Sequence, residues 1–308
     1  MTPFLALILD WILTALWPLI GKAGMAYYSG PLFSTAGLLI GGVLLSPWLL
    51  SGGRWRALVA PRSGPSLLAM GFFSGLATVI YVSALAYTTP ANAAIMAQVE
   101  VLYSSLLSAH FLGERISRKQ AAASLLVVAG TGLIMLHDLT SPRWKGDLMI
   151  LATPWMYQVS HLFSKKLPRD LDSISLSGGR IVFGVLTTLP FCAWSLRSGG
   201  AWSFSAPALR ILAVQGVLMS SINFLLWYKA IRGMDLSKAT TILLSYPALT
   251  VLFSWLLGRE AISAVQVAGL VITLTGALWV SRLVLQAQKA LPARERLSPE
   301  TPGTELVP

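Results

Sequence analysis

Two stretches of this chain, residues 84–122 and 230–268, carry one pattern twice at an offset of 146 residues, within strongly apolar sequence. Glu114-x-Ile116-Ser117-x-x-Gln120-x-Ala122 returns as Glu260-x-Ile262-Ser263-x-x-Gln266-x-Ala268. Without a gap, Ala84 also meets Ala230, Ala93 meets Ala239, Leu106 meets Leu252 and Ser108 meets Ser254. Chance similarity between apolar helices accounts for the shared Ala and Leu. It does not account for a Glu, a Ser and a Gln in register at a helix boundary. A repeat of this length, with several apolar spans in each copy, marks a duplicated membrane carrier that holds its cargo between the copies.

Charge content sharpens that reading. Only 11% of the residues are charged and 55% are apolar, against about 25% charged in soluble domains. So few charges cannot cover the surface of a soluble 308-residue protein, which implies a surface that faces lipid. The net charge of +11 is then a topology signal, and no nucleic-acid partner is expected. The lone Cys192 excludes an intramolecular disulfide and a zinc-type cluster. Met1–Ile20 lacks a basic leader and contains Asp10, so it reads as a retained first span.

A hydrocarbon core about 30 Å thick takes about 20 apolar residues per helix. Cutting at charged, Gly-rich and Pro-rich breaks gives ten spans, near 4–26, 31–50, 65–86, 91–112, 119–137, 147–164, 173–196, 207–228, 237–257 and 261–281. With both termini cytoplasmic, 16 basic residues fall inside, among them Arg54, Arg62, Arg118, Lys166 and Lys229, and six fall outside. That bias orients the chain. Each copy holds five helices, an odd number, so the second inserts upside down relative to the first. The expected fold is an all-α integral membrane protein of ten transmembrane helices in two inverted five-helix repeats, residues 1–140 and 141–286. A disordered cytoplasmic tail, 287–308, follows. The expected location is the plasma (inner) membrane, multi-pass.

Here a specific likeness emerges. Ala84-Leu85-x-Tyr87-Thr88-x-x-x-Asn92-Ala93, then Glu100, then Leu112-Gly113-Glu114, resembles the EamA-type domain of the drug/metabolite transporter superfamily. The second copy offers Ala230-Ile231, Tyr246-Pro247 and Gly258-Arg259-Glu260. The resemblance covers about 4–281. It implies a ten-helix secondary transporter of small organic solutes, with helices from both halves lining a central cavity. The chain departs from the pattern at Val101, Tyr246, Arg259 and Trp17-Pro18, which weakens any transfer of substrate identity.

An ionisable side chain at the bilayer centre costs about 2.5–3.5 kcal/mol on insertion scales, so each one requires a reason. Glu100 lies near mid-span beside Gln98 and Tyr103. It is read as a cavity carboxylate that binds an amine or carries a proton; a packing carboxyl bonded to a neighbouring helix is the alternative. Arg180, among Gly178, Gly179 and Gly184, is read as structural, and Asp10 as an acidic group at the cytoplasmic end of helix 1, with a second proton site the alternative. His161 shares a helical face with Tyr157 and lies near Gln158, either lining a cavity or packing. His110 and His137 read as structural. Tyr81 and Trp227 correspond across the repeat, and Tyr246 is the counterpart of Glu100. With Trp17, and with Asn223 one turn before Trp227, they suggest an aromatic cage for cationic or aromatic solutes; an interfacial aromatic belt competes with that reading. The substrate-binding candidates are thus Trp17, Tyr81, Gln98, Glu100, Tyr103, Tyr157, Gln158, His161, Asn223, Trp227 and Tyr246. Glu100 is the candidate for proton coupling. Pro18 and Pro154, in equivalent first helices of the halves, suggest paired flexing points.

No G-x-x-x-x-G-K-[ST] loop is present, so ATP hydrolysis within this chain is not expected. Three scattered histidines and one cysteine supply no catalytic constellation for a membrane enzyme. No cofactor is expected. The expected activity is secondary transport of small metabolites such as amino acids or amines by alternating access, driven by a solute or proton gradient, with export one direction it allows. A lipid or lipid-linked flippase is the alternative. The expected partners are a small solute and membrane lipids, with a homodimer left open.

Overall fold

The computed structural model of the chain describes residues 1–103, 106, 117–138, 143–168, 170–233, 239, 242–258 and 260–290. His110, Glu114, Lys238, Arg259 and the tail beyond Ala290 lie outside the described residues. Within them all regular structure is helical. The elements are α1 (Pro3–Gly24), α2 (Gly30–Leu50), the short α3 (Arg56–Val59), α4 (Gly64–Ala84), α5 (Pro90–Met96), α6 (Arg118–Asp138), α7 (Trp144–Leu151), α8 (Pro154–Lys166), α9 (Ser173–Arg197), α10 (Ala206–Val214), α11 (Asn223–Gly233), α12 (Tyr246–Leu256) and α13 (Ala264–Ala290). Six stretches are long and apolar enough to cross a membrane: Pro3–Gly24, Gly30–Gly53, Gly64–Ala84, Ser173–Arg197, Ala206–Ile231 and Ala264–Leu283.

Local chemistry explains where these helices begin. Thr2 caps α1 and Thr89 caps α5 through their hydroxyls, and a proline occupies the first turn of each. The repeated motif proves to be a capping box. Gln120 Nα donates to Ser117 Oγ (3.2 Å) and Ser117 Nα to Gln120 Oε1 (3.0 Å). The same two bonds join Ser263 and Gln266, at 3.1 and 2.9 Å. Each box satisfies two backbone donors at the start of α6 or α13. Asp172 caps α9 through Ser175 Nα (2.9 Å) and accepts from Arg54 Nε (2.6 Å). Burial works against its charged form, yet the bonds from Ser175 and Arg54 hold this carboxyl below its ordinary range. A folded pKa below the unfolded one contributes stability above the unfolded value, and that stability is lost as pH falls through the folded value. Asp172→Ala should therefore cost about 1 kcal/mol near neutral pH and nothing in strong acid. Thermal melts of purified protein across that range check it.

Large apolar side chains are exposed, and the interior holds polar groups among its apolar ones. Val43, Leu125, Leu186, Trp194 and Val271 are exposed, whereas Asn92, Asp147, Thr188 and Thr250 are buried. An apolar surface of this kind suits a lipid solvent. Some buried hydroxyls are satisfied by nearby groups: Thr250 Oγ1 donates to Ala15 O (2.8 Å), and Thr88 bonds the Asp147 carboxylate.

The most extensive helix pair is α6 with α13. A Cβ on Gly130 would lie 2.8 Å from Gly269 O, and one on Gly276 would lie 2.7 Å from Ala123 O. Gly130 and Gly276 are 146 residues apart, as are Ala123 and Gly269. The contacts are reciprocal, as across a two-fold axis. The glycine runs of α2 and α4 likewise permit close approach: Gly41 faces Ser220 O, and Gly71 faces Gly184 N of α9.

Several spans differ from expectation. The sixth is two helices, because Pro154 cannot donate a backbone hydrogen bond and α7 ends before it at Leu151. Pro18 leaves α1 as one helix, so the expected pair of flexing points is realised as a break at one proline only. At the C-terminal end, α13 runs to Ala290, past the boundary expected at 286.

Candidate functional site

Three departures from α-helical geometry converge on one region. After α5, residues Ala97–Val99 form a 3-10 turn that resumes as helix at Glu100. Between α7 and α8 the chain breaks at Ala152–Thr153. Between α10 and α11, Gln215–Ile222 is π-helical. Each contributes side chains to a single cavity of about 270 Å³. Irregular backbone at membrane depth is tolerated where it lines a cavity, and π segments gather at functional sites.

The polar wall is built from five helices. Gln158 Nε2 of α8 donates to Glu100 Oε1 at 2.6 Å, and His161 Nε2 lies 3.9 Å from the same oxygen. Opposite, Asn223 Nδ2 of α11 donates to Asp10 Oδ1 (2.9 Å) and Thr14 Oγ1 (3.1 Å) of α1. Arg180 of α9 lies over the Phe224 ring, its Cζ 4.0 Å from the ring centroid. The apolar wall is aromatic. Trp17 stacks on Tyr81 at 4.5 Å, Tyr157 meets Trp17 edge-on at 6.4 Å, and Trp227 packs 5.6 Å from His161. Thr78 and Tyr157 share a hydrogen bond of 3.2 Å, and Tyr246 donates to Ala94 O at 3.4 Å.

Five buried polar atoms on this wall have no hydrogen-bond partner among the described residues: Asp10 Oδ2, Tyr81 Oη, Gln98 Oε1, Gln215 Oε1 and Trp227 Nε1. Each such atom costs about 1–3 kcal/mol when left unmade. An enclosed space edged by unmade bonds is what a polar solute fills.

A second polar cluster ties the chain's halves together away from the cavity. Glu260 Oε2 accepts from Ala91 Nα (3.3 Å), and Gln266 Nε2 reaches both Glu260 Oε1 (2.6 Å) and Asn92 Oδ1 (2.8 Å). Lys22 Nζ donates to Ala86 O, a few residues before α5 (3.4 Å). The repeated Glu and Gln of the second copy thus cap both their own helix and the start of α5.

The model of the EamA-like transporter family matches residues 1–136 and 144–282, nearly the whole chain. The chain belongs to the EamA-like transporter family. Among relatives of this EamA-like protein, an uncharacterized transporter of Archaeoglobus fulgidus is 22% identical over 74% of this chain and 79% of its own. A probable terminal-alkyne amino-acid exporter of Streptantibioticus cattleyicolor is 25% identical over 69% of this chain and 68% of its own. Human solute carrier family 35 member G1 is 33% identical over 44% of this chain and 36% of its own. These relatives place the chain in the drug/metabolite transporter superfamily. A crystal structure 20% identical in sequence aligns over 92% of this chain and 98% of that one with a TM-score of 0.63, a likeness of fold alone.

Trp17, Tyr81, Gln98, Glu100, Tyr157, Gln158, His161, Asn223, Trp227 and Tyr246 all line the EamA-like chain's cavity. Tyr103 does not. The lining contributed by its helix ends at Val101, and Tyr103 lies beyond it. Trp227 is 7% exposed against His161, so it faces the cavity and not an interfacial belt. Trp17 and Tyr81 stack on each other, which leaves no room for a solute between their rings.

Sequence reasoning missed Asp10, Thr14, Arg180 and Gln215 as lining groups. Asp10 is not an exposed helix end: it is 1% exposed, well inside α1, and bonded to Asn223. A signal was present, because Asp10, Thr14 and Trp17 fall at i, i+4 and i+7 and so share one helical face. Gln215 had none, since the π segment that turns it inward leaves no mark in composition.

Proposed function

We propose that this EamA-like chain is a secondary transporter that moves small organic metabolites such as amino acids or amines by alternating access. A proton or solute gradient drives it. Glu100 carries the coupling proton, and the solute binds among Trp17, Gln98, Tyr157, Gln158, Asn223 and Trp227. The observation that carries this reading is Glu100 itself, a carboxylate at a helix interruption, facing a cavity edged by unmade hydrogen bonds. The volume of about 270 Å³ suits one small solute. Arg180 is the one lysine or arginine in the lining among the described residues. The exporter named among the relatives supports the outward direction.

Ten helices in two inverted repeats, in the plasma membrane with both termini cytoplasmic, complete the proposal. The duplicated capping boxes and the reciprocal Gly130 and Gly276 contacts support two copies related by a two-fold axis. The bias of basic residues supports the orientation. In the alternate half-cycle the bonds of Glu260 and Gln266 to the start of α5 must open.

Two experiments test these claims. A thermal-shift screen of purified protein against amino acids, amines, sugars and nucleosides should yield ligands, and those ligands should show flux into proteoliposomes. A screen and flux assay that both fail would remove the transporter reading. For topology, Cys192→Ser with Ser117→Cys or Ser263→Cys gives single-thiol proteins. An impermeant maleimide should label position 117 from the cytoplasmic side and position 263 from the other. Labelling of both from one side contradicts the inverted arrangement.

A further inference from the structure

The charges in the cavity do not balance. Among the described lining residues, Asp10 and Glu100 are two carboxylates and Arg180 is the single guanidinium facing them. Consecutive residues of α11 touch the two groups: Asn223 holds Asp10 Oδ1 at 2.9 Å, and the Phe224 ring carries Arg180 Cζ at 4.0 Å. Arg180, Asp10 and Glu100 all line the same cavity of about 270 Å³. Asp10 Oδ2 is buried and has no hydrogen-bond partner among the described residues. The other titratable groups on this wall are Tyr81, Tyr157 and Tyr246, which are neutral phenols, and His161, 3.9 Å from Glu100. Tyr228 lies behind Arg180. Facing α2 and the π segment contribute Leu38, Gln215, Met219 and Ser220, none of them titratable.

We infer that Asp10 is a second cation-accepting carboxylate of this cavity, with Arg180 the counter-charge it shares with Glu100. The set therefore takes up one net positive charge on loading. That charge is a proton or the ammonium group of a solute, and either neutralises the carboxylate that Arg180 leaves unpaired. In a medium of low dielectric a lone buried charge is far costlier than a compensated one. The first positive charge thus binds to the pair as a unit, and the second carboxylate stays ionised against Arg180. The inference deepens the transporter reading and rests on it for Glu100's place in the cavity.

Infrared titration of the reconstituted protein tests this without any flux, through the carbonyl stretch of protonated carboxylic acids, which imidazole does not share. Wild type should show two separated protonation steps. Asp10→Asn and Glu100→Gln, both close to isosteric, should each remove the same upper step, leaving one carboxyl that titrates at lower pH. The remaining step should lie below the wild-type upper step by about one pH unit or more, a tenfold change in proton affinity. Arg180→Gln should raise both steps, and Arg180→Lys should restore them. Where Arg180→Gln does not fold, the two carboxyl variants decide alone. If Asp10→Asn leaves the Glu100 step in place, the carboxylates titrate independently and the inference falls. The transporter reading, tested by flux, would stand.

Phenethylamine added to weakly buffered wild-type protein separates the two sources of charge. Release of a proton, absent in Asp10→Asn, assigns the site to either cation in exchange. No release assigns it to the proton.

Discussion

In Glu100→Gln proteoliposomes, uphill movement of solute driven by an imposed pH gradient should fall to the level of protein-free vesicles. Exchange of the same solute at equal pH on both sides should persist. The reason is chemical. A glutamine side chain keeps the shape of Glu100 and can still bond Gln158, whose amide now lies 2.6 Å from the carboxylate, but it cannot gain or lose a proton. Coupling is removed and the cavity is kept. Loss of both flux modes would make Glu100 a binding group for the solute instead. Full pH-driven uptake by the variant would dismiss it from coupling altogether.

Gly130→Leu should be the most damaging single substitution away from the cavity. Even the first carbon of a side chain there would lie 2.2 Å from Thr273 Oγ1 and 2.7 Å from Thr273 N, and the latter is backbone that cannot swing aside. Helices α6 and α13 must then separate along their most extensive contact. Overpacking of this kind costs about 1–3 kcal/mol and occasionally more, read as a lower melting temperature in detergent. Gly276→Leu, its counterpart against Ala123 O and Val127 N, should cost a similar amount. Gly132 sits on the same helix, and a Cβ added there would meet no atom within 4 Å. Gly132→Ala should leave stability unchanged or raise it by about 1 kcal/mol, since alanine favours helix over glycine. Equal losses at 130 and 132 would show that helix propensity, and not the crossing, governs this pair.

The sequence by itself determined an apolar, helical chain with an internal repeat, and ten of the residues that line its cavity. Charge depletion and the length of the apolar runs are local properties, read directly by the solvent each segment needs. Ionisable and aromatic residues at mid-span reveal themselves by cost, which is why Glu100, Tyr157 and Trp227 were legible. The capping boxes were legible too, though only as a pattern: their hydrogen bonds confine both partners to four consecutive residues.

Only the tertiary structure decided what depends on two distant segments at once. Asp10 looked like a helix end because its partner, Asn223, lies 213 residues away. Arg180 looked structural because its glycine neighbours are adjacent in sequence, while Phe224 and the two carboxylates are not. Tyr103 was placed by adjacency to Glu100 and lies past the cavity's edge. The reciprocal glycine contact needs α6 and α13 in one crossing before either glycine has a meaning. Contacts over such separations depend on how helices pack, and packing is set by the sum of all faces together. No single stretch of the chain contains it.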